Sequence, residues 1–314
     1  MTTQGMTTQD VRGTLTARRA LGAVAALATL PYVTMKLAWL TGNPVGITDL
    51  RAVAGAGMPA MNAITLLLDV CVIALAAALG SRAALRAPAL PVLLPAWVAT
   101  GLLVPIALVS LPLTLALPDA GDPGLAGWVR PMVYGGFTVQ GLCLLLSFAL
   151  YARERWGARL AAPGAAPEPV RPLLRATAGG GAVTGVLAAG LQLLHTGLTG
   201  DPVALVAAVV PAALVLAGVT GVLLLARGRS GGVVVTAAWT GSAVAFATGL
   251  YAVAVTMGAT ELSMGGSSPA AGLGHVCGLL AGFALAVAGL LAVSGSAPGR
   301  TADAPAPGPA TARA

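Results

Sequence analysis

Eight apolar runs, most of them close to the twenty residues that carry a helix across a bilayer, succeed one another between Ala20 and Val293. Short polar segments separate them. A run of that length is too long for a strand, and in lipid only a helix or a closed barrel satisfies its own backbone. The spans are expected at Ala20–Leu40, Met61–Gly80, Pro91–Leu117, Met132–Tyr151, Ala176–Leu198, Val203–Ala226, Val233–Met257 and Gly272–Val293. The expected fold is an all-α polytopic membrane protein with eight transmembrane helices.

A water-facing alternative fails on composition. Only 9% of the residues are charged and the mean hydropathy is +0.89, whereas a soluble domain carries about 25% charged residues. The formal charge of +7 invites a nucleic-acid reading, but the basic residues sit in small groups between apolar runs and form no basic stripe or helix. Aromatic residues make up 4%, too few for a base-stacking platform. Cys71, Cys143 and Cys277 each lie singly inside an apolar run, with no CxxC or zinc spacing. They read as small hydrophobes.

The placement of positive charge sets the expected orientation. Of the 17 Lys and Arg residues, only Lys36, Arg51 and Arg130 fall on one side of an eight-span arrangement. Such a bias places the arginine-rich side, with both termini, in the cytoplasm of a cell membrane. The expected organisation is a disordered cytoplasmic N-terminus over 1–18, a first four-helix half over 19–160, a cytoplasmic linker over 161–175, a second half over 176–294 and a disordered tail over 295–314. Pro31 should kink the first span, and Pro95, Pro105 and Pro112 should bend the third. Thr48 is placed to cap a short interfacial helix, Asp49–Gly57.

The stretch Pro31–Asp49 is unlike its surroundings. It holds a tyrosine, the only lysine and a tryptophan at the exit of an apolar helix, and a Gly/Asn/Pro turn follows. Part of it recurs: Leu40-Thr-Gly-Asn-Pro-Val45 is echoed by Leu198-Thr-Gly-Asp-Pro-Val203. Both copies fall at the outer end of the first span of a half. That position predicts two parallel four-helix repeats related by an axis along the membrane normal. Gly278-Leu-Leu-Ala-Gly282 is a small-xxx-small pattern and predicts close helix packing.

Few polar residues lie at membrane depth. Asp69 is the only acid in the middle of a span, so it needs a partner, water or a proton. Lys36 either snorkels outward along Trp39 or joins Asp69 in a transport or ion site. Trp39, Asn43, Asp49, Arg51, Asn62, His195, Asp201, Glu261 and His275 are all expected on or near the outer side, together with Lys36. His195 and His275, the only histidines, share one shallow depth, which two axial haem or metal ligands would require. No motif supports a metal site, and no cofactor is implied. Walker A, HExxH, GxSxG and strand-preceded dinucleotide loops do not occur, which points away from an enzyme.

Pro31-Tyr-Val-Thr-Met-Lys-Leu-Ala-Trp39, the turn Gly42 to Gly46, and Val133-Tyr-Gly-Gly136 leading to Phe148-Ala-Leu-Tyr-Ala-Arg-Glu-Arg-Trp156 together resemble multi-pass integral membrane proteins of high-GC actinobacteria. The resemblance covers most of residues 20–295. It implies the topology above and carries no catalytic residues, since that group has no assigned activity.

Three functional readings stay open. The first is a non-catalytic membrane component that partners another envelope protein, favoured by the scarcity of polar groups in the spans. The second is a small-molecule or ion transporter using Asp69 at mid-membrane. The third is an outer-face lipid, quinone or haem-dependent enzyme using Lys36, His195 and His275. The lipid bilayer is a partner in all three, and nucleic acid in none.

Overall fold

A computed structural model of the chain describes residues 8–50, 58–117, 124–161, 166–257 and 269–294. Among the described residues there is no strand beyond one isolated bridge. Eight helices among those residues are long and apolar enough to cross a membrane. We number them α1 (Thr8–Leu40), α2 (Met58–Leu79), α3 (Leu90–Ala116), α4 (Val129–Ala161), α5 (Arg171–Thr199), α6 (Pro202–Ala226), α7 (Gly232–Met257) and α8 (Pro269–Ser294). Large apolar side chains stay exposed on the flanks of the bundle, among them Leu27, Leu67, Val183 and Phe283. That surface suits lipid, not water.

Several helices overrun their expected ends. α1 begins at Thr8, inside the segment expected to be disordered, and α4 continues past Tyr151 to Ala161. Just beyond the expected spans, Arg18 of α1 meets Glu154 of α4 at 2.5 Å, with the Arg18 side chain fully buried. The contact joins the two helices where they continue past the apolar runs. α5 begins at Arg171, within the expected linker, after a 3-10 turn at Glu168–Val170. Arg171 pairs with Glu168 and donates to the Ala166 carbonyl. The expected helix Asp49–Gly57, with Arg51, the loop Glu261–Pro269 up to residue 268, and the tail 295–314 lie outside the described residues.

Proline acts differently in the two spans expected to bend. α1 runs without interruption through Pro31. α3 breaks pattern at Ile106–Ser110, a π-helical turn between Pro105 and Pro112, before closing at Leu111–Ala116. Proline donates no backbone hydrogen bond, and a π-turn is one way a helix absorbs the loss.

Each half closes on itself in the same way. The first helix packs on the last and on the second: α1 on α4 and α2, α5 on α8 and α6. One core gathers Ala25, Leu79, Leu144 and Tyr151; another gathers Ala178, Val222, Leu285 and Ala288. Gly282 lies against α7, where a Cβ would stand 2.3 Å from the Phe246 amide nitrogen. The Gly278–Gly282 pattern therefore serves packing inside the chain.

The halves meet along α3 and α7, which are equivalent helices in a four-plus-four arrangement. Trp97 Nε1 donates to Ser242 Oγ at 3.0 Å, and Trp239 Nε1 donates to Thr100 Oγ1 at 3.1 Å. Each tryptophan stands three residues before its half's hydroxyl, in Trp97-Val-Ala-Thr100 and Trp239-Thr-Gly-Ser242. Residue i of one helix thus binds residue j of the other, and the favour is returned by their equivalents, as a two-fold relation requires. At the crossing, a Cβ on Gly101 would lie 2.1 Å from the Ala243 carbonyl oxygen.

Candidate functional site

The bundle has two chemically distinct ends. At the arginine end, side chains of α1 and α4 grip the α2–α3 connection. Arg18 donates to the carbonyls of Leu79 (2.7 Å) and Ser81 (2.9 Å), and Arg19 to that of Gly80 (3.2 Å). Tyr151 donates to the Ala84 carbonyl at 3.0 Å; Arg155 binds the same oxygen at 2.8 Å, the Ala87 carbonyl at 2.5 Å, and the Tyr151 hydroxyl. These arginines are bound to specific acceptors, a role that charge counting alone does not reveal.

At the opposite end, the first connection is tied to the segment before α4. Ile47 bridges Leu125 in antiparallel fashion, the Ala126 amide donates to Gly46 O at 2.8 Å, and the Thr48 amide to Gly124 O at 2.9 Å. The helix that Thr48 is expected to cap lies outside the described residues. Trp39 donates its indole N–H to the Val45 carbonyl at 2.8 Å. The echoed Thr-Gly-Asx-Pro segments have a local explanation: Gly42 and Gly200 both take positive φ, at 85° and 69°, just after a helix ends. That is the left-handed stop glycine favours. The two copies then diverge. Asp201 caps α6, accepting from the Val203 amide at 2.8 Å, whereas Asn43 lies at the start of a longer connection. Residues 41–57 separate α1 from α2, but only 200–201 separate α5 from α6.

Lys36 is buried, only 5% exposed, and Asp69 only 4%. The Lys36 ammonium donates to Asn62 Oδ1 at 2.7 Å. It also lies 4.8 Å from the Tyr32 ring centroid and 5.2 Å from that of Trp39, a bracket of aromatic faces suited to a cation. Residue spacing produces this on both helices. Tyr32, Lys36 and Trp39 follow an i, i+4, i+7 course on α1, while Asn62, Thr65 and Asp69 follow i, i+3, i+7 on α2. Side chains lean toward the N-terminus of their own helix. In antiparallel neighbours, Lys36 and Asp69 therefore lean toward each other.

They do not close into an ion pair. Among the described residues the ion pairs are Arg18–Glu154 and Arg171–Glu168. Lys36 and Asp69 feel each other's charge at longer range. Asp69 Oδ2 is buried with no hydrogen-bond donor. The Tyr32 phenol lies beside Thr65 and within the field of Asp69, and the phenols of Tyr134 (α4) and Tyr251 (α7) reach the same neighbourhood. Tyr32 is held edge-on to Phe137 of α4, with centroids 4.8 Å apart.

The other residues singled out by sequence do not join this group. His195 and His275 are neighbours of each other, across the α5–α8 contact of the second half. No cluster of three His, Cys, Asp or Glu residues suited to a metal occurs among the described residues. Lys36 sits in the other half, so α1 and α2 do not bring it to the histidine pair through any extensive helix contact. Asp49 lies in the connection tied to residue 124, and Glu261 lies outside the described residues. Thr65 and Tyr32 could have been found from helical spacing alone. Tyr134 and Tyr251 could not, because they arrive from distant helices.

No family model matches the chain, and no curated protein or solved structure matches it.

Proposed function

We propose that the protein is a carrier of small molecules or ions in the cell membrane, with both termini on the cytoplasmic side and the Lys36–Asp69 group as its working site. The observation that carries this reading is Asp69 Oδ2: a carboxyl oxygen buried without a donor, within the field of a buried ammonium that it does not pair with. Ionisable groups at membrane depth are costly and are retained where they bind or move charge. Two halves related like parallel repeats, meeting along α3 and α7, supply the kind of seam about which carriers rock. The arginine-rich end faces the cytoplasm by the distribution of positive charge. Membership of the actinobacterial group described above is part of the same proposal.

The test is proton-coupled uptake in proteoliposomes holding a pH-sensitive dye, with a filtered small-molecule extract as substrate source. Flux above protein-free vesicles is expected, with at least a tenfold loss in Asp69→Asn. Equal flux in that variant, or none in the native protein, would sink the proposal.

A second reading, a non-catalytic component bound to another envelope protein, draws on the same scarcity of free polar groups. Most buried hydroxyls in the spans are used internally, as Thr29 is by the Ala25 carbonyl and Thr100 by the Ala96 carbonyl. A stoichiometric partner recovered on gentle purification would support it; a monodisperse, flux-competent protein would not.

A further inference from the structure

We infer that the Lys36–Asp69 site takes a zwitterion: a molecule with a primary ammonium group for Asp69 Oδ2 and a carboxylate or phosphate for the Lys36 ammonium. The inference rests on the reading of this group as a ligand site.

The two charges are of opposite sign, both buried, and not joined. A direct ion pair would be the simplest way to lower their energy in an apolar setting. The chain instead parks Lys36 on Asn62 at one level of α2 and sets Asp69 two turns further along, about 10 Å by the rise of an α-helix. A neutral amide oxygen satisfies one of three ammonium donors. Asp69 Oδ2 receives no donor at all. What would complete both groups is a single guest that donates at one end and accepts at the other.

Net charge excludes simpler guests. A lone cation at Asp69 adds positive charge near Lys36, and a lone anion at Lys36 adds negative charge near Asp69. Either change burdens a low-dielectric site. A zwitterion adds none. The Tyr32 and Trp39 faces, 4.8 and 5.2 Å from the ammonium of Lys36, line one end. Aromatic walls of that kind suit a short methylene chain between charged ends. The same chemistry has two sources, a free amino acid or the ethanolamine phosphate of a lipid headgroup.

The experiment uses the full chain in nanodiscs of anionic phosphatidylglycerol. Glycine, 4-aminobutyrate and 6-aminohexanoate are titrated calorimetrically, with butyrate and butylamine as single-charge controls. A lipid arm compares discs doped with phosphatidylethanolamine or with phosphatidylcholine, whose quaternary nitrogen has no N–H to donate, and reads the thermal unfolding midpoint. At least one free zwitterion, or phosphatidylethanolamine but not phosphatidylcholine, should bind or stabilise. Which arm responds identifies the source. Asp69→Asn and Lys36→Gln should each weaken the response at least tenfold, while Asp69→Glu and Lys36→Arg, which keep the charges, should retain more of it. Butylamine or butyrate binding as tightly as 4-aminobutyrate would overturn the inference, as would silence in both arms. Proton flux without zwitterion binding would defeat the ligand class and leave the carrier reading standing. Zwitterion binding without flux would do the reverse.

Discussion

Arg18 and Glu154 form an ion pair at 2.5 Å between the first and last helices of the first half, with Arg18 fully buried and Glu154 partly exposed, and the same guanidinium donates to the carbonyls of Leu79 and Ser81. One side chain thereby joins α1, α4 and the α2–α3 connection. Truncating one partner of a fully buried pair typically costs about 3–5 kcal/mol; the partial exposure of Glu154 and the two carbonyls left to Arg18 place this pair below that range. Glu154→Ala and Arg18→Ala should each lower the unfolding midpoint strongly in detergent. The double variant should lose less than the sum of the two. Additive losses in that cycle would mean that the pair is not coupled.

The reciprocal bonds between α3 and α7 make a milder prediction. Trp97→Phe and Trp239→Phe keep an aromatic ring but remove the N–H bound by Ser242 and Thr100. Hydrogen bonds between helices in membranes are worth about 0.6 kcal/mol on average and reach about 1.7. Each variant should lose stability in that range, and by similar amounts, in a reversible unfolding titration. A large loss in one with none in the other would contradict the equivalence of the two bonds.

Glycine at the seam should be irreplaceable where glycine elsewhere is not. Gly101→Ala would put a methyl group 2.1 Å from the Ala243 carbonyl oxygen, a backbone atom that cannot swing aside. Overpacking of this kind costs about 1–3 kcal/mol. Gly190→Ala, inside α5, meets nothing within 4 Å. It should stabilise by about 0.5–1 kcal/mol through helix propensity. Thermal midpoints of the two variants should move in opposite directions.

The working site should show the opposite sign from the arginine clasp. Asp69→Asn removes a buried charge whose Oδ2 has no donor and leaves a neutral group of the same shape. Its stability should equal or exceed the native value by about 1 kcal/mol, since functional groups are commonly held at the expense of stability. A destabilisation as large as that of Glu154→Ala, read by the same unfolding assay, would mark Asp69 as a structural residue.

The spans were legible because lipid demands uninterrupted apolar length, and Asp69 stood out because nothing like it occurs mid-span. Helix ends were less so. Arg18 and Glu154 are 136 positions apart, and no local pattern tells that they meet. The Leu40–Val45 and Leu198–Val203 echo was visible, but its shared part is a helix stop, at Gly42 and Gly200. A second parallel between the halves was also in the chain, in Trp97-Val-Ala-Thr100 and Trp239-Thr-Gly-Ser242. Its meaning appears only when α3 and α7 cross. Lys36 and Trp39 were read as an interface anchor or a site. Their placement with Tyr32 and Asn62 buries the ammonium instead of leading it to water.

The bonds donated by Trp97 and Trp239 carry one more implication. Each half brings a donor and an acceptor of its own, so residues 19–160 already hold Trp97 together with Thr100. Two separate copies of that segment would own every group needed to rebuild the seam. The seam is thus self-complementary, as a contact between two identical subunits is. That self-complementarity stops at the first connection: residues 41–57 separate α1 from α2 but only 200–201 separate α5 from α6, and Lys36 and Asp69 belong to the first half alone.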